Sequence, residues 1–597
     1  MCGTSQSLGE GRGGTEQPRP SCLRACHPDI HQGDVRMRVW LGLLMLIIAT
    51  TFSGVLKAQE TFEKQLDQLG KQPGVIRSHL GVTRKGTRIP CVYSKDDLDP
   101  HSKKTRVLLV AGFQNKEYTS DVIQVLEWFY TSNEAKATRE LFTLSAVSLV
   151  NPDDAGPLRF QVKGDAYFSK DNPEAEYLWR WIGMHAPDFV VILKSNNDSS
   201  RQLVEALEKS APCGTGKIPT IHVDFPRVKA APSPLPKWLI QRLEEFKKTG
   251  PSPARLELQK RVDREPLEIA KQLAKVYGHD LSSVQYIPAL ALVGRIRLGE
   301  LTDDPSHLKD VERIVAPYVS GDKESLPARF AGSHSAGHLI FSELARVSED
   351  PTKKQRYLEL ARVAADAGFD DKGQPKPAMP AHSEMSDAVF MGCPILAEAG
   401  ALTGEAKYIE MAGRHFEFVK KLVLREDGIY RHSPLCETAW GRGNGFPALG
   451  LAWSLSAMPK DHPLYSKFLK EFQSHMQALV KLQDPTGTWH QVIDDDASYQ
   501  EFAATAMITF AMIRGVQSGW LNEKEYRPVI EKAFRAIKTR IASDGTLVDV
   551  CTGTGKQKTL RDYYDRKAIL GKDARGGAMA LLVTTEMARW QAEKNSK

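Results

Sequence analysis

The sequence contains few cysteines and no closely spaced group of them. Three of the eight lie within the first 26 residues, and the other five are scattered, at Cys91, Cys213, Cys393, Cys436 and Cys551. Cysteine pairs two residues apart are typical of zinc sites, and dense cysteines are typical of small disulfide-stapled domains. The sequence therefore predicts neither kind of structure.

The chain also lacks a block of basic residues. Its 80 Lys and Arg residues are mixed with 73 Asp and Glu residues, which leaves a formal net charge of +7. Binding to a nucleic-acid backbone requires basic side chains that are concentrated in one patch or stripe. We therefore expect no nucleic-acid partner.

No hydrophobic run is long enough for a membrane-spanning helix. The longest, "VWLGLLMLIIATTF", has 14 residues and follows Arg36 and Arg38, whereas a spanning helix needs about 20. A charged start, a short apolar run and cleavage near Ala58 are typical of a secretory signal peptide. We expect residues 1–58 to combine an over-extended gene start with this peptide, which predicts a periplasmic or secreted protein without stable membrane insertion after cleavage. The alternative is an uncleaved anchor, which leaves the protein on the same side of the membrane.

With 597 residues, of which 41% are hydrophobic, the chain is long enough for two domains with cores of their own. Over residues 59–235, strand patterns such as "RVLLVAGF" and "DFVVILKS" alternate with helical patterns such as "DVIQVLEWFY". This alternation predicts an α/β domain with a sheet rich in parallel strands. Proline-rich sequence follows it and predicts a linker, which we assign to 236–262.

Residues 263–597 carry helical patterns separated by short turns rich in glycine, aspartate and proline. In "EAKYIEMAGRHFEFVKKLV" (405–423) the apolar residues recur at helical spacing on one face. A succession of such helices predicts an α/α barrel, in which helices pair around a ring, although a solenoid has the same periodicity. The turn-rich loops of a ring gather at one end, where we expect the function to lie.

The segment "AWGRGNGF" (439–446) alternates three glycines with an arginine and an asparagine. It lacks the spacing of a dinucleotide-binding motif, and no strand precedes it. Glycines let a ligand approach the backbone, Trp440 offers a flat face to a sugar ring, and Arg442 offers a fork for a carboxylate. These residues, with Asn444, suit an acidic sugar. The alternative is a helix start with Trp440 in the core.

The segment "HSEMSDAVFMGCPIL" (382–396) has one acid, Asp387, at the head of an otherwise apolar helical pattern. An aspartate at this position commonly caps the helix. A carboxyl group there can instead act as a general acid or base. The residues alone leave both roles open.

Five motifs occur in the order and at about the spacing found in the unsaturated glucuronyl and rhamnogalacturonyl hydrolases of glycoside hydrolase family 105. They are "DAVFMGCPIL", "WGRGNGF", "GTWHQVIDD", "EFAATAMITFAM" and "CTGTG". From residue 263 onwards the chain therefore resembles this family. The resemblance implies an (α/α)6 barrel and a glycosidase that acts on lyase-generated oligosaccharides with an unsaturated uronic acid at the non-reducing end. It also implies that one aspartate, matched by Asp387, protonates C4 of the double bond and activates the water that adds at C5, without metal or cofactor.

The resemblance further implies which residues bind the substrate. Trp440 matches the stacking residue, and Arg442 matches an arginine that would hold the uronate carboxylate. The other predicted substrate-binding residues are His432, Asn444, Trp489, His490 and His334.

The chain departs from the family pattern near His334. Family members commonly carry an aspartate where this chain has Gly332, Ser333 and His334. His334 would replace it by hydrogen bonding, or would cap a helix. His334 and His338 have the spacing of a metal pair, but no third ligand accompanies them, so no metal site is predicted.

The first domain resembles the zinc carboxypeptidases in three segments, "VLLVAGFQNKEY", "LVNPDDAG" and "PDFVVILKS". At the positions of the zinc ligands it carries Gln114, Glu117 and Lys194, and an ammonium group repels a metal ion. We therefore expect a degenerate carboxypeptidase-like domain that binds no zinc.

Two alternatives to the family 105 activity remain. One is a non-catalytic glycan-binding protein built on degenerate enzyme domains. The other is an unsaturated glucuronyl hydrolase of the related family 88, acting on glycosaminoglycan fragments. The oligomeric state is not predicted by any feature of the sequence.

Overall fold

The computed structural model describes residues 61–160, 171–193, 198–223 and 250–595. The expected signal peptide, Lys194 and most of the expected linker lie outside these residues. The chain divides into two compact units, Met1–Gln65 and Leu66–Lys597. Of the first unit, only residues 61–65 are described, and they are helical. Within the described ranges, no helix combines the length and hydrophobicity that crossing a membrane requires.

The N-terminal part of the second unit contains a six-stranded mixed sheet in the order β1-β2-β4-β3-β5-β6. The strands are β1 Val75–Val82, β2 Arg88–Ser94, β3 Thr105–Val110, β4 Phe142–Val147, β5 Phe189–Leu193 and β6 Thr220–Val223. Strands β4, β3, β5 and β6 are parallel, whereas β2 runs antiparallel to both β1 and β4. The predicted α/β domain is therefore confirmed, with an antiparallel pair added to its parallel strands.

Within the described ranges, α-helices lie in the connections between these strands. They span Thr119–Thr131, Lys136–Leu141, Pro173–His185 and Asp198–Lys209. Strands β3, β4 and β5 are almost completely buried, which explains their continuous runs of apolar residues.

The C-terminal part is a closed ring of six helical hairpins. Its inner helices span Tyr286–Thr302, Gly332–Gly337 continued by Leu339–Val347, Ala388–Thr403, Gly441–Ala457, Phe502–Gln517 and Ala574–Asn595. Each inner helix packs on the next, and the last packs on the first. Their outer partners span Pro305–Ser320, Pro351–Asp366, Ala406–Val423, Pro463–Val480, Glu523–Thr539 and Pro266–Ala274. The closure confirms the barrel and excludes the solenoid.

The burial of each helix follows its place in the ring. The inner helix Gly441–Ala457 is buried on nearly every side, as expected for a helix that is apolar all round. The outer helix Ala406–Val423 buries one face, which includes Tyr408, Phe416 and Val419. This face is the apolar stripe that the sequence predicts.

Short strands and a further helix complete the turn-rich end of the ring. The strands are Trp489–His490, Gln500–Glu501, Leu547–Cys551 and Ala568–Gly571, and the short helix is Leu560–Tyr564. A helix over Pro253–Asp263 packs against Glu523–Thr539.

The α/β domain contacts the ring through the β1–β2 hairpin. His79 Nδ1 lies 3.0 Å from Asp496 Oδ2, and Arg88 pairs with Asp495 and Asp496 at 3.0 and 2.9 Å. Arg561 donates a hydrogen bond of 2.6 Å to the Thr83 carbonyl. The hairpin therefore holds two of the loops at the turn-rich end.

Candidate active site

Asp387 directly precedes the inner helix Ala388–Thr403. Its side chain makes no capping hydrogen bond to that helix, although an aspartate there usually caps. The residue is 8% exposed, and its Oδ2 atom has no hydrogen bond within the described part of the chain. Buried polar atoms are nearly always satisfied, so an exception indicates a functional group. The general acid or base role is therefore favoured over the cap.

His432 lies directly behind Asp387. Its Nε2 atom is 3.3 Å from Asp387 Oδ2, close enough for electrostatic interaction but without the geometry of a hydrogen bond. On its other side, Nδ1 is 2.9 Å from the hydroxyl of Tyr563. His432 is completely buried, so the structure corrects its predicted role: it contacts the acid and not the substrate.

Tyr563 is the partner of this histidine on the side away from Asp387. Burial raises the pKa of Tyr563 above its ordinary value, so the hydroxyl keeps its proton. When this hydroxyl donates to Nδ1, the ring proton lies on Nε2 and faces Asp387. The three side chains form a line from the site into the protein interior.

Trp440 is 1% exposed and lies in the core. Its ring is 4.5 Å from the His432 ring, the Arg442 guanidinium lies 4.7 Å from its centre, and its indole N–H donates to Gln491. The predicted stacking role is therefore not supported, because these groups cover the ring. The alternative of a helix start with a core tryptophan is correct.

Arg442 is also buried. Its Nη1 and Nη2 atoms donate to the carbonyls of Cys551 and Thr552 at 2.7 and 3.0 Å. Its guanidinium therefore holds the "CTGTG" loop, and its two terminal nitrogens are committed to that loop. The prediction that Arg442 holds a substrate carboxylate is corrected for this reason.

The inner helices begin at the same end of the ring, where Asp387 lies. Tyr286 packs edge-on to Phe390 and Phe446, and Glu501 accepts a hydrogen bond of 2.8 Å from the Cys551 N–H. The N-terminal ends of buried helices carry unsatisfied N–H groups and a partial positive charge. This end of the ring therefore favours an anionic ligand.

The family model described as Glycosyl Hydrolase Family 88 matches residues 262–591, which is more than half of the chain. The chain belongs to glycosyl hydrolase family 88. The predicted glycoside hydrolase is thereby confirmed. The motifs resemble family 105, and the matching model is that of the related family 88.

Curated relatives carry names from the same group of enzymes. An unsaturated 3S-rhamnoglycuronyl hydrolase of Alteromonas sp. (strain LOR) is 24% identical over 331 residues, which are 51% of this chain and 78% of the relative. The unsaturated rhamnogalacturonyl hydrolase YesR of Bacillus subtilis (strain 168) is 33% identical over 145 residues, 24% of this chain and 39% of the relative. These names agree with the resemblance found in the motifs.

The chain is also similar to the solved structure of a family 105 glycoside hydrolase of C. acetobutylicum ATCC 824. It is 19% identical, and the match covers 53% of this chain and 98% of that one, with a TM-score of 0.47.

The glycines of the "WGRGNGF" segment serve helix packing in this family 88 protein. A Cβ at Gly441 would lie 2.2 Å from the His490 carbonyl oxygen, and one at Gly443 would lie 2.9 Å from Ser386 Oγ. The close approach is therefore made by the protein itself, which corrects the expectation of a sugar at this backbone.

Asn444 belongs to the same packed segment. Its amide accepts from the Tyr430 N–H and donates to the Tyr430 and Trp440 carbonyls, at 2.8 to 3.0 Å. It is fully buried, so it joins the loop to the helix start and does not bind substrate as predicted.

Trp489 and His490 are also buried. The Trp489 indole donates to the Leu479 carbonyl at 2.8 Å within the core. His490 is buried and lies 3.1 Å from Asp484 Oδ2 and 2.6 Å from the Ser498 carbonyl. Their predicted contact with the substrate is corrected, because both side chains are buried and bonded to other groups of the protein.

His334 caps its own helix. Its Nδ1 atom accepts a hydrogen bond from the Ala331 N–H at 3.1 Å, as the capping alternative expects. His338 is buried 3.2 Å from Ser325 Oγ, and burial lowers its pKa to about 4. Among the described residues, no three His, Cys, Asp or Glu side chains gather as metal ligands would.

Tyr563, Tyr286 and Arg575 also lie near Asp387, and the sequence does not predict them. Tyr286 lies close enough to Asp387 and Arg575 for their charges to act on it, and burial raises its pKa to about 12. Arg575 pairs with Asp573 at 2.7 Å, through Nη2. Position at the head of an inner helix is the signal that could have identified Tyr286 and Arg575.

Proposed function

We propose that this protein hydrates the 4,5-double bond of an unsaturated uronic acid at the non-reducing end of lyase-generated oligosaccharides, and thereby separates this uronyl unit, which loses its double bond, from the next sugar. The observation that supports this most is the buried carboxyl group of Asp387, which has an unpaired oxygen at the anion-favouring end of the ring. The relatives' names point to the same chemistry.

Asp387 serves both proton transfers in this reaction. Protonated Asp387 gives its proton to C4 of the vinyl ether, which leaves positive charge at C5 and on the ring oxygen. The resulting carboxylate takes a proton from the water that adds at C5. The hemiketal at C5 then opens, and the next sugar leaves from C1. Because no second carboxyl group attacks C1, the pair of acids found in ordinary glycosidases is not needed.

His432 and Tyr563 are positioning residues in this scheme. The Nε2 proton faces Asp387 Oδ2 at 3.3 Å, so it stabilises the carboxylate that exists after the first proton transfer. Tyr563 keeps the imidazole in the required tautomer through its 2.9 Å contact with Nδ1. This support resembles that of other catalytic groups oriented by buried histidines.

The uronate carboxylate is held by Arg575 and Tyr286. Within the described ranges, the Tyr286 hydroxyl and Arg575 Nη1 have no hydrogen bonds, while Arg575 Nε and Nη2 are bound to Asp573. A guanidinium with a spare N–H, beside helix N-termini, suits a carboxylate. Arg442 instead maintains the loop that borders this position.

An assay on several lyase digests tests the function. Pectic, ulvan-type and glycosaminoglycan digests are incubated with the protein, and the ultraviolet absorbance of the double bond conjugated with the carboxylate is followed. Decay with one digest establishes the chemistry and names the polysaccharide. Absence of decay with every digest, from folded protein, favours the glycan-binding alternative, for which the missing family aspartate near His334 is the supporting feature.

We extend this proposal to the N-terminal domain and to the location of the protein. We propose a periplasmic or secreted enzyme whose α/β domain is a degenerate carboxypeptidase-like fold without zinc. This proposal is supported by the residues at the three ligand positions, Gln114, Glu117 and Lys194, because only the glutamate is a residue type that commonly binds zinc. Zinc bound in a stoichiometric amount by the purified protein would contradict the proposal that the α/β domain binds no zinc.

A further inference from the structure

A cleft between the α/β domain and the ring contains a cavity of about 80 Å³. Its lining comes from both domains and includes Tyr93, Arg106, Trp181, His185, Arg535 and Arg540. It takes part in none of the contacts around Asp387 described above.

Three arginines line this cavity, and each has a carboxylate oxygen within 4 Å. Arg106 and Arg540 are buried. Their Nη atoms donate to groups of the protein, and in the described part of the chain only the Nε atom of each has no hydrogen bond. Their nearest carboxylate oxygens lie 3.7 and 3.8 Å away. Arg535 is 54% exposed at the entrance and lies 3.9 Å from Asp99. Buried donors without partners are unusual and suit an oxyanion that supplies the missing acceptors.

Asp97 is the one carboxylate that lines the cavity, and its charge is already compensated. It accepts hydrogen bonds of 2.6 Å from the hydroxyls of Thr143 and Ser145, and it lies 3.3 Å from His185 Nε2. The donors left for an anion are therefore the Nε groups of Arg106 and Arg540 and the guanidinium of Arg535.

Aromatic side chains form the rest of the wall. Trp181 stacks on His185 at 4.3 Å, and Tyr93 meets both rings edge-on. A second cavity of about 40 Å³ shares Trp181 and Arg540 with the first, so the cleft continues along the domain boundary. Arginine forks beside aromatic faces are the combination that recognises acidic sugars.

We propose that this cleft is a second anion site, which binds the carboxylate or sulfate group of an acidic saccharide. About 80 Å³ is the space of two to three waters, which accommodates the anionic group while the sugar ring lies outside, toward Trp181. The site gives the α/β domain a ligand-binding role that does not depend on the chemistry at Asp387.

Calorimetric titration of the full chain tests the site. The probes are D-glucuronate, inorganic sulfate and, as a neutral control, glucose. We expect glucuronate or sulfate to bind and glucose not to bind. Binding of glucuronate identifies the carboxylate as the recognised group, and binding of sulfate alone identifies the sulfate group.

Variants then locate the binding. Arg535→Ala should weaken it about tenfold, and Arg535→Glu should abolish it, since this exposed side chain can be changed without disturbing the core. Arg527→Ala, on the same helix but outside the cleft, should bind like the wild type. Arg575→Ala should also keep the binding, which separates this site from the proposed active site, where Arg575 holds the uronate carboxylate. No binding of either anion, equal binding of glucose, or unchanged binding by Arg535→Glu would overturn the proposal.

Discussion

At the scale of single residues, the account depends on how Asp387 is supported. An aspartate at the head of a helix is ordinary, and what distinguishes this one is its unpaired buried oxygen beside His432. The motif containing Asp387 is local, so the sequence could identify it. Tyr563 is 131 residues from His432 in the chain, and no pattern in the sequence predicts that contact.

Removing the Tyr563 hydroxyl tests the support directly. In Tyr563→Phe the imidazole loses the donor that fixes its tautomer, so we expect kcat to fall about tenfold with little change in KM. The pH profile of kcat/KM should also shift, which a purely structural role would not cause. Tyr564→Phe is the matched control, because its hydroxyl contacts Asp495. An equal fall of kcat in Tyr563→Phe and Tyr564→Phe would show that the hydroxyl beside His432 has no special role in catalysis.

Arg575 gives a prediction about recognition. Arg575→Ala should raise KM about tenfold and leave kcat nearly unchanged, because a carboxylate contact present in both ground and transition states is lost. Arg589→Ala, near the other end of the same helix, should behave like the wild type. With a uronate methyl ester as substrate, Arg575→Ala and Arg589→Ala should have the same KM, because the ester carries no carboxylate. A KM that still differs between them would assign Arg575 another role.

At the scale of elements, the turn-rich loops are joined by buried charges. Burial alone would lower the pKa of His490, but its hydrogen bond and ion pair with Asp484 raise it. Burial would likewise raise the pKa of Asp484, and the interaction with His490 lowers it. The pair therefore ties the short strand Trp489–His490 to the loop that contains Asp484.

These directions fix the pH range in which the pair stabilises the fold. His490 contributes fully to the free energy of unfolding below the pKa that it has in the unfolded chain, and this contribution is lost as pH rises through its raised pKa in the folded protein. Asp484 contributes above its unfolded pKa, and its contribution is lost as pH falls through its lowered pKa in the folded protein. The stabilisation is therefore greatest between about pH 4 and 6.5.

The variant His490→Gln should lower the free energy of unfolding by about 2–4 kcal/mol near pH 6, and by less near pH 9. Urea unfolding at the two pH values measures the difference. His101→Gln, in an exposed pair with Asp263, should have little effect at either pH. A loss that does not depend on pH would mean that only the packing of His490 matters.

At the scale of the whole molecule, the sequence predicts the architecture better than the site. Helical periodicity and the alternation of strands and helices are properties of short segments, so both domains could be identified. The placement of Trp440, Arg442 and Asn444 depends on which side of a buried helix faces the ring axis. Their residue types suit a sugar, but Gln491 and Cys551, far along the chain, bind Trp440 and Arg442, and Tyr430 binds Asn444 within the core.

The most direct test of the central claim follows the reaction in deuterated water by proton magnetic resonance. The account predicts that the vinyl proton signal of C4 disappears in step with release of the next sugar, that one deuteron enters at C4, and that Asp387→Asn stops both processes while keeping the fold. Release of the next sugar with the double bond intact, or wild-type rates in Asp387→Asn, would contradict it.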